Sequence, residues 1–550
     1  MLIKESLRNT GYDEVALLSL STGDYSCIQG LITGLMNYLV EKKVAISLPS
    51  LRVGTLSTGL AEEIKRVRKT GFTLAPEAGT DRLRRIINKG MDEEEFIETT
   101  RKVFSLGWQS IKLYYMIGLP GETRLDLEGI TELSRRVQEA GRSAGKRPHV
   151  NVSISTFVPK PHTPFQWEPQ ITMDECMERQ VFLRKGLKRH RLEFKTHDAR
   201  MGLLEGVFSR GDRRLSRVIK RAFELGCRFD GWGEVFRFNL WEQAFKETGL
   251  DMAFYTYRGR GREEVFPWDH LSSRVDKDFL YEEYEKALRA QETPDCRVDR
   301  CSVCGVCDHK VIKNVTSLEM AKGLVITPRH GRRPKTRVRL RFSKTGEMRH
   351  LSHLEVIATF TRAIRRASLP IRYSQGFHPL PSITFTPPQP VGVESIAEYT
   401  DLELEGYLKA EELTERLGRE LPEGFKVLDA RMIPLKLPPL STTFHKATYL
   451  ISLQNGSLAP DVIEGLIQEF ISRKEIVITQ KRDGKERRVD IRPLIEGIAL
   501  QGNAIALTLS RGEGGSAKPH EVVEHLLNLP GIQAQSLPIL KICEQGKTRY

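Results

Sequence analysis

Between residues 14 and 167, apolar runs of strand length alternate with stretches of helical period, and this alternation restricts the possible folds more than any other property of the chain. The runs VALLSLS, VAISLPSL, FTLAP, IKLYYMIGLP and VNVSISTFVP are separated by QGLITGLMNYLVEK and by helical stretches near 58–69, 92–106 and 124–141. Continuous apolar strands between amphipathic helices suit a parallel sheet covered on both faces, so an α/β barrel or open barrel is expected. Ligands of such folds sit at the carboxyl ends of the strands. Four segments therefore belong at the mouth: STGDYS (21–26), PEAGT (76–80), GLPGET (118–123) and VPKPHTPF (158–165). Gly23, Gly79, Gly118 and Gly121 permit tight turns and close backbone approach, and Asp24, Glu77 and Glu122 can receive ammonium or hydroxyl groups. The alternative for Asp24 and Glu77 is that they cap the helices that follow.

At 550 residues the chain is too long for one core, and three or four folding units are expected. No apolar run approaches the ~18 residues that span a bilayer, and the first residues lack a signal-peptide pattern, so a soluble, cytoplasmic protein without membrane contact is expected. From 171 to 290 the sequence is mostly helical, with Trp232, Trp241 and Trp268 in aromatic loops read as core packing. His197, Asp198 and Arg200 form a polar group that could face a substrate. Within 291–326 lies C-x4-C-x2-C-x2-C, formed by Cys296, Cys301, Cys304 and Cys307. Four thiolates on a compact loop fill either a zinc site or the corners of an iron–sulfur cluster, and either site would be closed. The other four of the eight cysteines, Cys27, Cys176, Cys227 and Cys543, are isolated, which fits a reducing compartment.

The formal net charge is +14, and much of the surplus lies in 331–374, where twelve Lys and Arg face only Glu347 and Glu355. A basic linker (327–336) leads into TRVRLRF, in which Arg337, Arg339 and Arg341 alternate with Val338, Leu340 and Phe342. A strand here should bury one face and display three guanidinium groups on the other. Over 337–436 the order is strand, helix (353–367), strand (near 381–386), strand (398–404), helix (409–419) and strand (425–434), the order of a ferredoxin-like unit. A second such unit is expected over 440–550. Arg365, Arg366 and Arg372 lie close in sequence to Tyr373, Phe377 and His378, and aromatics among cations suit stacked single-stranded RNA. The alternative is a solvated basic face.

Three segments, LAPEAGTDRLRRIINKG (74–90), YYMIGLPGET (114–123) and VNVSISTFVPKPHTPFQW (150–167), resemble the later barrel strands of radical S-adenosylmethionine (SAM) enzymes. The resemblance implies a partial (β/α) barrel over 1–170 lacking its first strand, with SAM contacts at Gly23, Asp24, Glu77, Gly118 and Ser155. Such enzymes cleave SAM at a cluster held by a C-x3-C-x2-C loop, and no such motif occurs in these 550 residues. The chain is similar to a subgroup in which a cobalamin domain, and that loop after the first barrel strand, precede the part of the sequence matched here. On this reading they would lie in a missing N-terminal part or a separate chain, and MLIKESLRNTGYDEV would begin inside the first barrel helix. The segment RLRFSKTGEMRHLSHLEVIATFTRAIRRASLPIRYSQGFHPLPSITF resembles a radical-SAM-associated C-terminal domain of unknown function, with Ser352, His353, Arg365, Arg366, Ser374, Gln375, Gly376 and Pro379 among its signature residues. Two functions follow as expectations. One is a radical SAM family protein acting on or binding RNA, inactive by itself without the SAM-cleaving cluster. The other is a non-catalytic RNA-binding module stabilised by an iron–sulfur or zinc site.

Overall fold

The structure is a computed structural model that describes residues 1–19, 22–48, 58–68, 72–296, 299–313, 334–375, 379–453, 459–482, 485–511 and 517–546. The chain divides into two compact units, Met1–Asp13 with Thr327–Tyr550, and Glu14–Ile326. The first helix, α1 (Leu2–Thr10), belongs to the former. It packs beside Arg362, whose Nε donates to Thr10 O at 2.9 Å and whose guanidinium covers the Tyr12 ring.

The unit Glu14–Ile326 begins with β1 (Glu14–Ala16), α2 (Ile28–Leu39), β2 (Ala45–Ser47) and α3 (Thr58–Lys65), with β1 and β2 parallel. There follow β3 (Phe72–Glu77), α4 (Asp81–Ile86), α5 (Glu93–Ser105), β4 (Ser110–Ile117), α6 (Arg124–Ser143), β5 (His149–Thr156), α7 (Met173–Arg189) and β6 (Glu193–Thr196). Strands β3 to β6 form a parallel sheet in chain order. Strand β4 alternates as its sequence requires, with Ile111, Leu113, Tyr115 and Ile117 fully buried. A capping box of Thr123 and Asp126 starts α6. Near that start the backbones of Gly79 and Gly129 meet so closely that a Cβ on Gly79 would lie 2.3 Å from Asp126 O. That contact brings the β3–α4 turn against α6.

Helices α8 (Ala199–Ser209), α9 (Leu215–Glu224), α10 (Phe238–Thr248), α11 (Met252–Thr256) and α12 (Lys277–Leu288) complete this unit. Trp241 packs into the core of α8 to α11, and Trp268 is buried with Trp167 and Phe266. Trp232 departs from the expected core role, being 65% exposed in a loop.

The other unit continues with β7 (Lys335–Lys344), α13 (His353–Arg366), β8 (Ile383–Phe385), β9 (Glu394–Glu405), α14 (Ala410–Gly418) and β10 (Phe425–Ile433). Then come α15 (Leu440–Thr443), β11 (Phe444–Ser452), α16 (Pro460–Ser472), β12 (Val477–Arg482), β13 (Lys485–Asp490), β14 (Ile495–Gln501), β15 (Ala504–Ser510), α17 (Pro519–Leu527), α18 (Gly531–Ser536) and β16 (Ile539–Gly546). One sheet of order β10-β7-β9-β16-β11-β15-β14, with β8 also on β9, contains two β-α-β-β-α-β halves. The halves meet where Leu540 and Lys541 pair in parallel with Glu394 and Ser395. Each half has its own apolar core, one around Leu340, Phe342 and Phe360 and the other around Ile451, Ile467 and Leu507. Among the described residues no helix is long and apolar enough to cross a membrane.

Candidate active site and cysteine box

The carboxyl ends of β1, β3, β4 and β5 carry the residues expected at a ligand mouth. Gly23 and Asp24 lie in a short 3-10 turn, Thr22–Asp24, after β1. Glu77 is the last residue of β3 and adopts φ 68°. A left-handed backbone at a residue with a Cβ is strained, and such strain persists where surrounding structure enforces it, often at functional positions. Just before it the pairing with β4 slips, from Leu74 opposite Leu113 to Glu77 opposite Tyr115. Its carboxylate is partly buried 3.5 Å from Lys89 Nζ. Burial pushes the Glu77 carboxyl above its ordinary pKa, and Lys89 opposes that shift. Glu77 does not cap α4, because Thr80 is the N-cap and accepts from Leu83 N–H at 3.4 Å.

Gly118 follows β4 with φ 85°, and a Cβ there would lie 2.7 Å from Ile171 Cδ1. Its N–H donates to Glu122 Oε2 at 3.0 Å, and the other oxygen of this buried carboxylate meets Arg179 Nη1 at 2.6 Å. Burial raises the Glu122 pKa against the opposing pull of the Gly118 N–H and Arg179. Asp126 is a second buried carboxylate, bonded by Thr80, Arg82 and Thr123. Burial alone would raise its pKa, but these hydrogen bonds hold it below the usual carboxylate range. Ser155 Oγ donates to Tyr115 O at 3.4 Å. Met116 and Phe157 pack on an apolar group of Ala78, Leu83, Ile86, Leu119 and Ala287. The strand ends thus combine an apolar wall, backbone polar groups and one strained acid, a set able to seat an apolar ring and fix a cationic or hydroxyl group.

The supporting residues Lys89, Arg179 and Arg82 escaped the sequence reading. Lys89 stands in INKG (87–90), but nothing in its spacing pairs it with Glu77. Asp198 and Arg200, expected to face a substrate, bond each other, with Asp198 as N-cap of α8.

The cysteine box folds back on α12. Asp276, the N-cap of α12, donates its N–H to Cys304 O at 3.0 Å, and Asn88 exchanges two hydrogen bonds with Thr293, just before the box. Val303 adopts φ 55° and its N–H donates to Cys301 Sγ at 3.3 Å, so the Cys301 sulfur already has one amide donor. Burial, together with Cys304, Cys296 and Cys301, pushes the Cys307 thiol pKa up. Among the described residues no group of three or more His, Cys, Asp or Glu is set closely enough to hold a metal ion. The box brings its four thiols within electrostatic reach without forming a finished ligand set.

The basic strand departs from expectation. Arg337 and Arg339 are not displayed but grip one carboxylate, Asp401, at 2.6 and 2.8 Å. Arg337 also donates to Leu437 O, Arg339 lies over the Phe444 ring, and Arg341 donates to Ile396 O. The chain leading into β11 covers this face, so its guanidinium groups are structural. Arg366 pairs with Glu420 and Arg372 with Glu403, while Arg365 lies over the Tyr373 ring. Phe377, like its neighbours Gly376 and His378 and most of the linker 327–336, lies outside the described residues.

The radical SAM superfamily pattern matches residues 6–134, so the strained Glu77 and the Gly118 turn stand inside a radical SAM domain. A second family, described as an uncharacterized protein conserved in bacteria (DUF2344), matches residues 337–519. The chain therefore carries both a radical SAM domain and a C-terminal DUF2344 domain. An uncharacterized protein of Methanocaldococcus jannaschii is 32% identical over 219 residues, 40% of this chain and 46% of that protein. A tRNA-2-methylthio-N(6)-dimethylallyladenosine synthase of Pelotomaculum thermopropionicum is 27% identical over 140 residues, 24% of this chain and 31% of that protein. The chain thus spans less than half the length of each of these curated relatives.

Proposed function

We propose that this chain is the SAM-binding and RNA-binding portion of a radical SAM protein, with RNA as the class of substrate. Iron–sulfur and SAM chemistry follow from the superfamily. RNA is favoured by the similarity to a protein whose name describes action on tRNA. In this reading the parallel strands form a partial barrel, and the two β-α-β-β-α-β halves are ferredoxin-like units. Gly23, Asp24, Glu77, Gly118 and Ser155 hold SAM, and Cys296, Cys301, Cys304 and Cys307 hold an iron–sulfur cluster or zinc. The open three-cysteine ligation needed to cleave SAM has no counterpart among these 550 residues, so the donor set does not fit the radical-generating cluster. We assign that loop, and a cobalamin domain, to a separate partner chain, with the whole acting in the reducing cytoplasm.

One observation carries the SAM assignment: a strained, partly buried carboxylate, Glu77, at the end of a parallel strand inside the radical SAM domain. Its role would be to bind and orient SAM by accepting hydrogen bonds. Calorimetric titration of the full chain with SAM tests this. Glu77→Gln should weaken binding by roughly 10- to 150-fold, as expected for loss of a charged hydrogen bond of ~1.5–3 kcal/mol. Reductant-dependent 5′-deoxyadenosine should not form from this chain alone. Failure of the wild-type chain to bind SAM at millimolar concentration would overturn the reading in favour of a binding module with an inert barrel.

A further inference from the structure

The basic surface that is free to meet RNA lies elsewhere than in the arginine strand. Between residues 473 and 488 stand seven basic residues (Arg473, Lys474, Lys481, Arg482, Lys485, Arg487 and Arg488) against three acidic ones (Glu475, Asp483 and Glu486). This segment contains the antiparallel pair β12–β13, which forms a two-stranded sheet of its own, inserted between α16 and β14. Its base is anchored. Ile478 and Val489 are buried in the core of the second half, and Asp490 Oδ1 accepts from the N–H groups of Ile476 and Arg492 at 2.8 and 3.0 Å.

Beyond that base the ribbon turns polar. Arg487 stands opposite Gln480 and Arg488 opposite Thr479, and both arginines are exposed. Being consecutive on a strand, they project to opposite faces. Among the described residues no ion pair takes up either guanidinium, whereas Arg337, Arg339, Arg366 and Arg372 each hold a carboxylate. Unpaired cations on both faces of an anchored ribbon attract a polyanion strongly, because no internal partner has already neutralised them. The segment from Val477 to Asp490 has no aromatic residue. It can bind phosphates but offers no aromatic platform for stacking bases.

We propose that the β12–β13 ribbon is the arm by which this protein grips the phosphate backbone of single-stranded RNA without reading its sequence. The proposal rests on the reading above that RNA is the partner. The test uses the full chain and fluorescently labelled 20-nucleotide oligouridylate and oligoadenylate, titrated between 50 and 200 mM salt. The two RNAs should bind within threefold of each other. Arg487→Gln with Arg488→Gln should lower the log–log salt slope by about 1.4, at ~0.7 per phosphate contact on a single strand. Between 50 and 200 mM salt the wild-type affinity should then fall roughly sevenfold more than that of the double variant. Arg431→Gln, which removes an exposed arginine paired with Asp429, should leave the slope unchanged. An unchanged thermal midpoint for the double variant would show that the fold is intact.

If the wild type binds RNA and the double variant keeps its slope, the ribbon is not the contact, although RNA remains the partner. If the wild type binds neither RNA at 50 mM salt, the RNA reading fails and the arm with it. Binding of anionic phospholipid vesicles through these arginines, without RNA binding, would also overturn the proposal.

Discussion

Replacing Lys541 by Met should loosen the seam between the two halves of the DUF2344-containing unit more than any other single change near it. Lys541 is fully buried on β16, with its Nζ 2.5 Å from Glu398 on β9 and 2.8 Å from Glu544. Burial alone would depress the ammonium pKa, but the two carboxylates more than offset it and hold the pKa above the ordinary lysine value. Methionine fills a similar volume and leaves both carboxylates in the interior without their shared cation. Thr386 Oγ1 still donates to Glu398 and Arg511 still meets Glu544, so the loss corresponds to one broken buried pair, about 3–5 kcal/mol. Domains are typically stable by only ~5–15 kcal/mol, so this is a large share. Hydrogen exchange read by mass spectrometry on peptides from 394–405 and 539–546 measures it directly. Their slowest amides should exchange roughly a hundredfold to a few thousandfold faster in the variant, at one power of ten per ~1.4 kcal/mol. Adding Glu398→Gln should recover part of the protection, because a neutral amide costs less to bury than an unpaired carboxylate. Exchange within threefold of wild type in Lys541→Met would refute the argument that this cation neutralises the seam.

Asp401→Asn would leave the guanidinium groups of Arg337 and Arg339 buried without their carboxylate, and a loss of about 3–5 kcal/mol is expected, read as faster exchange in β7 peptides. On the proposed assignment of a metal to the cysteine box, protein purified without oxygen should contain iron or zinc by elemental analysis, and Cys304→Ser should abolish it and expose 296–307 to proteolysis, because metal binding and local folding are coupled. Burial lowers the His353 pKa, with Lys344 adding to the effect and Glu398 opposing it. The unfolded chain therefore binds a proton first as pH falls below ~6.5, stability drops through that window and levels off below the folded-state pKa, and His353→Gln should flatten the decline in thermal midpoint.

The alternation of apolar runs and helical periods over 14–167 was enough to specify parallel strands joined by helices, because a strand buried between helices has few other sequences open to it. Spacing alone also singled out the cysteine box, since four thiols within twelve residues need no tertiary information to be neighbours. Over 337–436 the turn and helix periods likewise carried the β-α-β-β-α-β order, with strand and helix ends within a few residues of those observed, whereas in 440–550 the runs EIVITQK and RRVDIRP, read as strands of that order, form the separate β12–β13 pair and the sheet takes β14 instead. The face of TRVRLRF could not be read this way. Alternation states that two faces differ, not what covers the second. Only tertiary pairing puts Asp401 opposite Arg339 in the β7–β9 register and lays the entry to β11 over the guanidinium groups. The same limit applies to α1, whose amphipathic period names no partner and which packs against α13 from more than 300 residues away in sequence. The left-handed turn at Glu77 was equally hidden, because backbone strain at a glutamate leaves no mark in composition or periodicity and is enforced by the slipped β3–β4 pairing. The basic residues of 473–488 were as visible in the sequence as those of 331–374. That Arg487 and Arg488 hold no carboxylate among the described residues while Arg337, Arg339, Arg366 and Arg372 do was decided by the acidic residues that folding brings beside each of them, since a charge is free for a partner only where the fold has not already neutralised it.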